Sequence, residues 1–218
     1  MKKIVLLLIA GVLVLGGGAL AVFIFIVQNV ETPVYQVVMQ DGAFEVRAYP
    51  ALVVAEVLRE GDRKTALRAG FSPLAHYIFA KERGGESVAM TAPVTQQREE
   101  PIAMTVPVTQ SPTAAGKWVV RFIMPASYTR ESLPAPATAD LTLRDVPARQ
   151  AAAVRFSGRA TDDLIAAQEL ALREWLKSRN LTPVAAPIYA YYNDPLTPGI
   201  FRRNEVIIDI APIAPESR

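Results

Sequence analysis

The chain has one histidine, His76, and no cysteine, so few of its side chains could act as a nucleophile or a metal ligand. A neutral imidazole near pH 7 can coordinate iron. Without a second histidine or a thiol, one chain cannot build a histidine-assembled metal centre or a Cys–His pair. No serine elbow, phosphate-binding glycine loop or dinucleotide fingerprint occurs either. These features favour a binding protein over an enzyme.

His76 falls within a helix predicted over residues 62–81. Four apolar side chains recur there at helical spacing and predict one buried stripe: Leu67, Phe71, Leu74 and Ile78. Pro73 lies inside the same pattern, and proline removes a backbone donor and clashes with the preceding turn. The helix is therefore predicted to be kinked at Pro73 or to restart after Ser72.

A second helix is predicted over residues 162–179, with Thr161 as its cap. Its outward positions carry charge: Asp162, Glu169, Arg173 and Lys177. The outward positions of the first helix are uncharged: Thr65, Ala69, Ser72, His76, Phe79 and Ala80. A loop, a partner chain or a flat apolar ligand usually covers such a face. Because Arg68 lies nearby and could pair with propionates, this face would suit haem.

An octapeptide at residues 89–96 returns at residues 103–110 with seven of eight positions identical. In both copies apolar residues alternate with others, which predicts a strand. The charged segment between the copies predicts an antiparallel hairpin. The proline in each copy favours an edge or a bulge, because it cannot donate to a sheet ladder.

A weaker repeat has an offset of 97 residues, and it relates Arg47 and Gly61 to Arg144 and Gly158. In each part a β-prone segment reaches a glycine and is followed by a helical pattern. Two copies are too few for a solenoid, so they are expected to close on each other into one core. The stretch 125–140 is rich in proline, alanine, serine and threonine and is predicted to connect the halves.

The sequence resembles the SOUL haem-binding protein family in several motifs. The doubled Ala-Met-Thr-x-Pro-Val is similar to the family's signature. Further family-like segments occur in the family's order across residues 34–210: Phe44-Glu-Val-Arg-x-Tyr-Pro50, Gly70-Phe71, Tyr77-Ile78-Phe79, Phe122-x-Met-Pro125, Phe156-Ser-Gly158 and Tyr192-Asn-Asp-Pro through Arg202-Arg-Asn-Glu205.

This resemblance implies an α+β fold, in which a distorted antiparallel β-barrel or sheet of two pseudo-symmetric halves packs against two helices. It also implies non-covalent haem as the cofactor. One pocket wall would be the first helix, through Arg68, Ala69, Ser72, His76 and Phe79. The second would be the loop before the last strand, through Pro195, Thr197 and Pro198. The resemblance supports the helix as a wall more strongly than it supports His76 as the iron ligand.

An apolar, uncharged run covers residues 4–27 and follows Lys2 and Lys3. As a helix it would be about 36 Å long, enough to cross a bilayer with some tilt. A cleaved signal peptide is the alternative, since Ala19-Leu-Ala21 has the small-x-small form. An uncleaved single-pass anchor is favoured, because the apolar run continues beyond Ala21. The positive-inside rule then places the remaining chain outside the cytoplasmic membrane.

The predicted organisation is an anchor and link over residues 1–30, one domain over 31–212 and a tail over 213–218. The net charge of +2 is not clustered, so no nucleic-acid partner is expected. The leading hypothesis is a domain that binds haem or another tetrapyrrole reversibly, as a carrier, buffer or sensor. Two alternatives remain. One is a protein-interaction module without a cofactor. The other is a small-molecule sensor for amphipathic cations, for which Glu45 and Glu56 are the candidate carboxylates.

Overall fold

The structure is a computed structural model that describes residues 30–99, 116–194 and 196–213. The chain divides into two compact units, Met1–Glu31 and Thr32–Arg218, and all of the described strands and helices belong to the second. The predicted membrane anchor, the second octapeptide and Pro195 lie outside the described residues. Within the described part of the chain, no helix is both long and apolar enough to span a membrane.

In the described part of the chain, nine strands form one antiparallel sheet, and two helices pack on it. The strands are β1 (Gln36–Asp41), β2 (Phe44–Tyr49), β3 (Leu52–Glu60), β4 (Val94–Arg98), β5 (Lys117–Ile123), β6 (Leu141–Val146), β7 (Arg149–Phe156), β8 (Ile188–Tyr191) and β9 (Asn204–Ile210). The helices are α1 (Arg63–Ile78) and α2 (Asp162–Ser178), and a short 3-10 turn covers Gly199–Phe201. The sheet order is β1-β2-β7-β9-β8-β4-β5-β3-β6, so among the described strands the sheet is open, not a closed barrel.

The two halves repeat the same order of elements. The first half is β2-β3-α1-β4-β5, and the second is β6-β7-α2-β8-β9. In the sheet the first strand of each half pairs with a strand of the other half: β2 pairs with β7, and β6 pairs with β3. The halves meet where β4 pairs with β8. The offset of 97 residues in the sequence follows this repetition.

Both helices cover the same face of the sheet. Alternate residues of β3 and β5, including Ala55, Val57 and Val120, are buried under α1. The corresponding residues of β7 and β9 are buried under α2, where the Trp175 ring stacks on Phe44 at 5.3 Å between centroids. The remaining alternate residues of these strands point to the opposite face.

The first helix runs through Pro73 without restarting, so the predicted restart after Ser72 is wrong. Asp62 caps its start by accepting hydrogen bonds from the backbone N–H groups of Lys64 and Thr65, at 2.9 and 3.0 Å. Proline at position 73 leaves the carbonyl of Ala69 without its usual helical donor. The Nε of Arg59 donates to that carbonyl at 3.2 Å. A side chain from β3 therefore replaces the missing helical hydrogen bond.

The first octapeptide does not form the predicted edge strand. Only its last residues, from Val94 onward, belong to β4, and Pro93 precedes the strand after a cis peptide bond. Since β4 pairs with β5 on one side and β8 on the other, it is an interior strand. The predicted hairpin between the two octapeptides stays a prediction, because the second copy lies outside the described residues. Pro93 costs no ladder hydrogen bond because it lies before the paired residues.

Candidate functional site

The outward face of α1 is open to solvent among the described residues. Arg68, Ala69 and Ser72 are exposed, His76 is partly exposed, and the Phe79 side chain at the end of the helix is 50% exposed. The last four of these follow one another by three or four residues, so they form one stripe on the helix. At 1.5 Å per residue, the stripe is about 15 Å long. We call these four residues and Arg68 the helix face.

His76 is held by an acidic residue beyond the end of the helix. Its Nδ1 lies 2.7 Å from Oε1 of Glu82. When Nδ1 carries the proton and donates it to this carboxylate, Nε2 keeps its lone pair. In the described part of the chain, Nε2 has no hydrogen-bond partner. Histidines that bind metals commonly use this arrangement, with one ring nitrogen on a carboxylate and the other on the metal.

The turn after α1 brings Glu82 to His76. Ala80 adopts a positive φ of 53°, and the N–H of Lys81 donates to the carbonyl of His76 at 3.0 Å. The guanidinium of Arg83 then fixes the chain by donating to the carbonyl of Tyr77 at 2.9 Å. Sequence reasoning missed Glu82, because helical periodicity ends before this turn.

The loop between β8 and β9 is organised around Asp194. Its carboxylate accepts from the Thr197 hydroxyl at 2.6 Å and from the Leu196 N–H at 2.7 Å. Although burial opposes it, the hydrogen bond from Thr197 and those from the loop backbone lower the pKa of Asp194. Thr197 is buried and its carbonyl accepts from Arg202, whereas Pro198 is exposed. Thr197 thus stabilises the loop from its buried side and does not form part of the loop's surface.

Three large apolar side chains on this loop are exposed, and sequence reasoning missed them. Leu196 is 83% exposed, Ile200 77% and Phe201 71%. In the sequence Leu196 lies between the two prolines of the loop, and Ile200 and Phe201 follow Pro198-Gly199. Their position in a Pro-Gly loop is the signal that could have indicated exposure, since loops lie on the surface and often carry binding residues.

The hydrogen bonds described for this loop lead to the segment before α2. The loop is tied to the start of α2, where the Gly158 N–H donates to the Gly199 carbonyl at 2.9 Å. The first turn of α1 reaches that region, where Arg63 binds Asp162 and the Tyr191 hydroxyl, both at 2.7 Å, and Lys64 lies 3.5 Å from Asp162. The five residues of the helix face thus form one surface, and a joint role with Thr197 and Pro198 stays a prediction.

The two carboxylates considered for a cation site are already paired. Glu45 accepts from Arg47 at 2.7 Å. Glu56 is buried, accepts from Arg121 at 2.7 Å and forms an ion pair with Arg144, whose Nε lies 3.0 Å away. A cationic ligand would therefore have to displace guanidinium groups from Glu56. The described residues contain no group of three or more histidine, cysteine, aspartate or glutamate side chains positioned to hold a metal ion.

The fold and the helix face define an α+β domain of two repeated halves that presents an open, largely uncharged surface around one histidine. Comparison with protein families matches residues 30–209 to the SOUL heme-binding protein family. Because the match covers most of the sequence, the chain belongs to the SOUL family.

Solved structures share the fold at low sequence identity. The C-terminal domain of EcmrR aligns with a TM-score of 0.56 and 12% identity, over 83% of this chain and 99% of that domain. A protein described as a hydrolase from Listeria innocua aligns with a TM-score of 0.51 and 12% identity, over 80% of this chain and 94% of the other. No curated protein sequence matches this chain significantly. At such identity the likeness concerns the fold alone.

Proposed function

We propose that the domain binds haem or another tetrapyrrole reversibly at the helix face of α1, with Nε2 of His76 as an axial ligand of the iron. The observation that carries this proposal is the hydrogen bond between His76 Nδ1 and Glu82. It leaves the second ring nitrogen available on an exposed surface that also offers the Phe79 ring. Membership of the SOUL family supports a tetrapyrrole as the ligand.

The residues of the helix face match the parts of haem in turn. Ala69 and Ser72 are small, so they would leave room for a flat ring on the helix face. Phe79 offers an aromatic surface to the porphyrin. Arg68 is exposed and supplies a guanidinium for a propionate. When bound, haem would supply an iron centre whose properties depend on its axial ligand.

Binding rather than catalysis is the activity that these residues support. A ligand held on an exposed surface by one imidazole and apolar contacts can leave without a large rearrangement of the fold. That property suits a carrier, a buffer or a sensor. The proposal also keeps the chain at the cytoplasmic membrane as a single-pass protein, with the domain on the outer side. This location rests on the apolar run over residues 4–27 and the lysines before it.

Titration of the purified full-length protein with haemin, followed by absorbance, tests the proposal. The expected result is saturable one-to-one binding with a shifted Soret band. His76→Ala should change the Soret band and the spin state of the iron and weaken binding by about tenfold or more, because the axial nitrogen is lost. Binding to detergent alone is subtracted with a titration of matched micelles.

A matched pair of charge substitutions locates the site. Phe79→Asp places a carboxylate on the helix face and should weaken haemin binding about tenfold. Leu170 is an exposed apolar residue on α2, 60% accessible, so Leu170→Asp makes the same change on the other helix. It should leave binding unaltered. If titration does not saturate, or if both aspartate variants behave like the original protein, the helix face is not the site.

A further inference from the structure

A cavity of about 320 Å³ lies on the face of the sheet opposite the helices. Both halves line it, since Leu52 and Val54 come from β3 and Ile188 and Ile207 from β8 and β9. These residues alternate along their strands with those buried under the helices. The volume falls within the roughly 300–1,000 Å³ range of small-molecule sites. The sheet separates this cavity from the helix face.

Aromatic rings and apolar side chains provide part of the lining. Tyr35 and Tyr49 lie 5.3 Å apart between ring centroids, and Tyr192 lines the same cavity. Burial raises the pKa of Tyr49 to about 12, so this side chain is a neutral phenol near pH 7. An aromatic ligand can therefore stack on uncharged rings here.

Four arginines line the cavity, and they outnumber its two carboxylates: Arg121, Arg144, Arg149 and Arg203 against Asp145 and Asp209. Both carboxylates have arginine partners. Asp209 accepts from Arg149 at 2.8 Å, and Asp145 lies 3.0 Å from Arg130, outside the lining. Neither carboxylate is therefore available to a cation without displacing its arginine.

Arg121 and Arg144 pair with Glu56 and Arg203 pairs with Glu205, but Arg144 and Arg149 keep unused hydrogen-bonding capacity. The Nη1 of Arg149 is buried and has no hydrogen-bond partner among the described residues. A buried donor without an acceptor is costly, so this position favours a ligand that supplies one. The Arg144 side chain forms an ion pair with Glu56, with Nε 3.0 Å from Oε1, and it remains 60% exposed. A guanidinium can hold a second acceptor through its other N–H groups.

We propose that this cavity binds a small aromatic anion, such as a carboxylate or sulfonate carried on a ring system. The rings of the ligand would contact the tyrosines, Ile188 and Ile207, and its anionic group would accept hydrogen bonds from Arg149 and Arg144. This ligand is opposite in charge to the amphipathic cations considered from the sequence. The site is separate from the helix face and does not depend on haem.

Isothermal titration of the full-length protein with two probes tests the proposal. The probes are 2-naphthoate and 2-naphthylmethylammonium, which share a ring system and differ in the sign of their charge. The expected result is saturable one-to-one binding of naphthoate, at least about tenfold tighter than binding of the cation, because only the anion accepts charge-assisted hydrogen bonds. Equal affinities, or a preference for the cation, overturn it.

Two variants assign the binding to this cavity. Arg149→Met keeps an unbranched side chain without the guanidinium and should weaken naphthoate binding about tenfold. Because it also removes the partner of Asp209, binding of the cation should strengthen. Arg144→Gln, on the exposed edge strand β6, should weaken it several-fold and keeps the test decisive if Arg149→Met does not fold. The control Arg173→Met removes an arginine from α2 that pairs with Glu169 far from the cavity. Naphthoate affinity that is unchanged in folded variants contradicts the proposal.

The haem site and the anion site can fail independently. His76→Ala should leave naphthoate binding unchanged, because His76 lies on the helix side of the sheet. Arg144→Gln should leave haemin binding unchanged for the same reason. If His76→Ala weakens naphthoate binding, the probe is bound at the helix face, and the cavity is not its site.

Discussion

At the scale of single residues, the pair of His76 and Glu82 gives the helix face its chemical character. An imidazole on a solvated helix is common and usually has no ligand. A carboxylate at 2.7 Å from Nδ1 changes this, because it favours the tautomer in which Nε2 keeps its lone pair. The geometry therefore distinguishes His76 from an ordinary surface histidine more clearly than its position in the sequence does.

Glu82→Gln tests whether this carboxylate acts through His76. The amide retains a hydrogen-bond acceptor but loses the negative charge, so Nε2 should become a weaker ligand. We expect haemin affinity to fall about tenfold and the Soret band to shift less than in His76→Ala. Absorbance titration and the spin state of the iron measure both effects.

Glu86 offers a matched control for this substitution. It is an exposed carboxylate in the same turn region, and only its backbone carbonyl is bonded, to Arg83. Glu86→Gln should leave affinity and spectrum unchanged. Equal effects of the two substitutions would indicate a general electrostatic contribution, and Glu82 would then have no specific role in positioning His76.

At the scale of elements, close packing sets how α1 sits on the sheet. Gly70 lies above Val120 of β5, and a Cβ built on Gly70 would lie 2.6 Å from the Cβ of Val120. A real side chain at that position forces the helix away from the sheet. The glycine therefore permits the approach that buries Leu74 and Ile78.

Gly70→Ala should destabilise the domain by about 1–3 kcal/mol, because overpacking outweighs the better helix propensity of alanine. Urea unfolding monitored by circular dichroism measures the change. Gly84 is a suitable control, since a Cβ there meets no atom within 4 Å. Gly84→Ala should stay within about 0.5 kcal/mol of the original protein. A Gly70→Ala protein that is as stable as the original would show that α1 can shift without loss.

The elements also show how far sequence reasoning reaches. Helical periodicity predicts both helices to within a few residues, and the repeat indicates two halves. The repeat cannot predict that β2 and β6 exchange places, because two similar halves do not show whether a strand pairs within its own half or with the other half. The interior position of β4 is hidden for another reason. The prediction of an edge rested on the proline, but Pro93 lies before the paired residues of the strand, on which Gln96 is fully buried and donates to the carbonyl of Arg63 at 2.8 Å.

The helix face shows the same limit. Periodicity places its five residues on one surface, which agrees with their exposure in the structure. The partner of His76 depends instead on a turn with a positive φ at Ala80, which is unusual for that residue. The cavity is equally hidden in the sequence, because its lining comes from strands far apart in the chain.

At the scale of the whole molecule, a buried ion cluster joins the two halves. Arg47 on β2 donates to both carboxylate oxygens of Glu205 on β9, at 2.7 and 3.1 Å. Tyr192 and Arg203 also donate to Glu205, at 2.8 and 2.7 Å. Because β2 comes from the first half and β9 from the second, this cluster fixes the exchanged strand in its register.

The cluster makes the stability of the fold depend on pH. Burial alone would raise the pKa of Glu205, but the hydrogen bonds and charge of Arg47 hold it below its ordinary value near 4.5. A carboxylate whose pKa is lower in the folded state contributes stability above the pKa of the unfolded state. That contribution is lost as the pH falls through the folded pKa. Stability should therefore decline as the solution is acidified below about pH 4.5.

Glu205→Gln separates this contribution from that of other acids. At pH 7 the variant should lose about 3–5 kcal/mol, because Arg47 is left buried without its main partner. Other carboxylates with lowered pKa values, such as Asp140 and Asp162, remain in both proteins. The variant should therefore lose less additional stability between pH 7 and pH 3.5 than the original protein. Urea unfolding at both pH values measures the two losses. Equal losses of stability between pH 7 and pH 3.5 in the two proteins would show that Glu205 does not contribute to the pH dependence of stability.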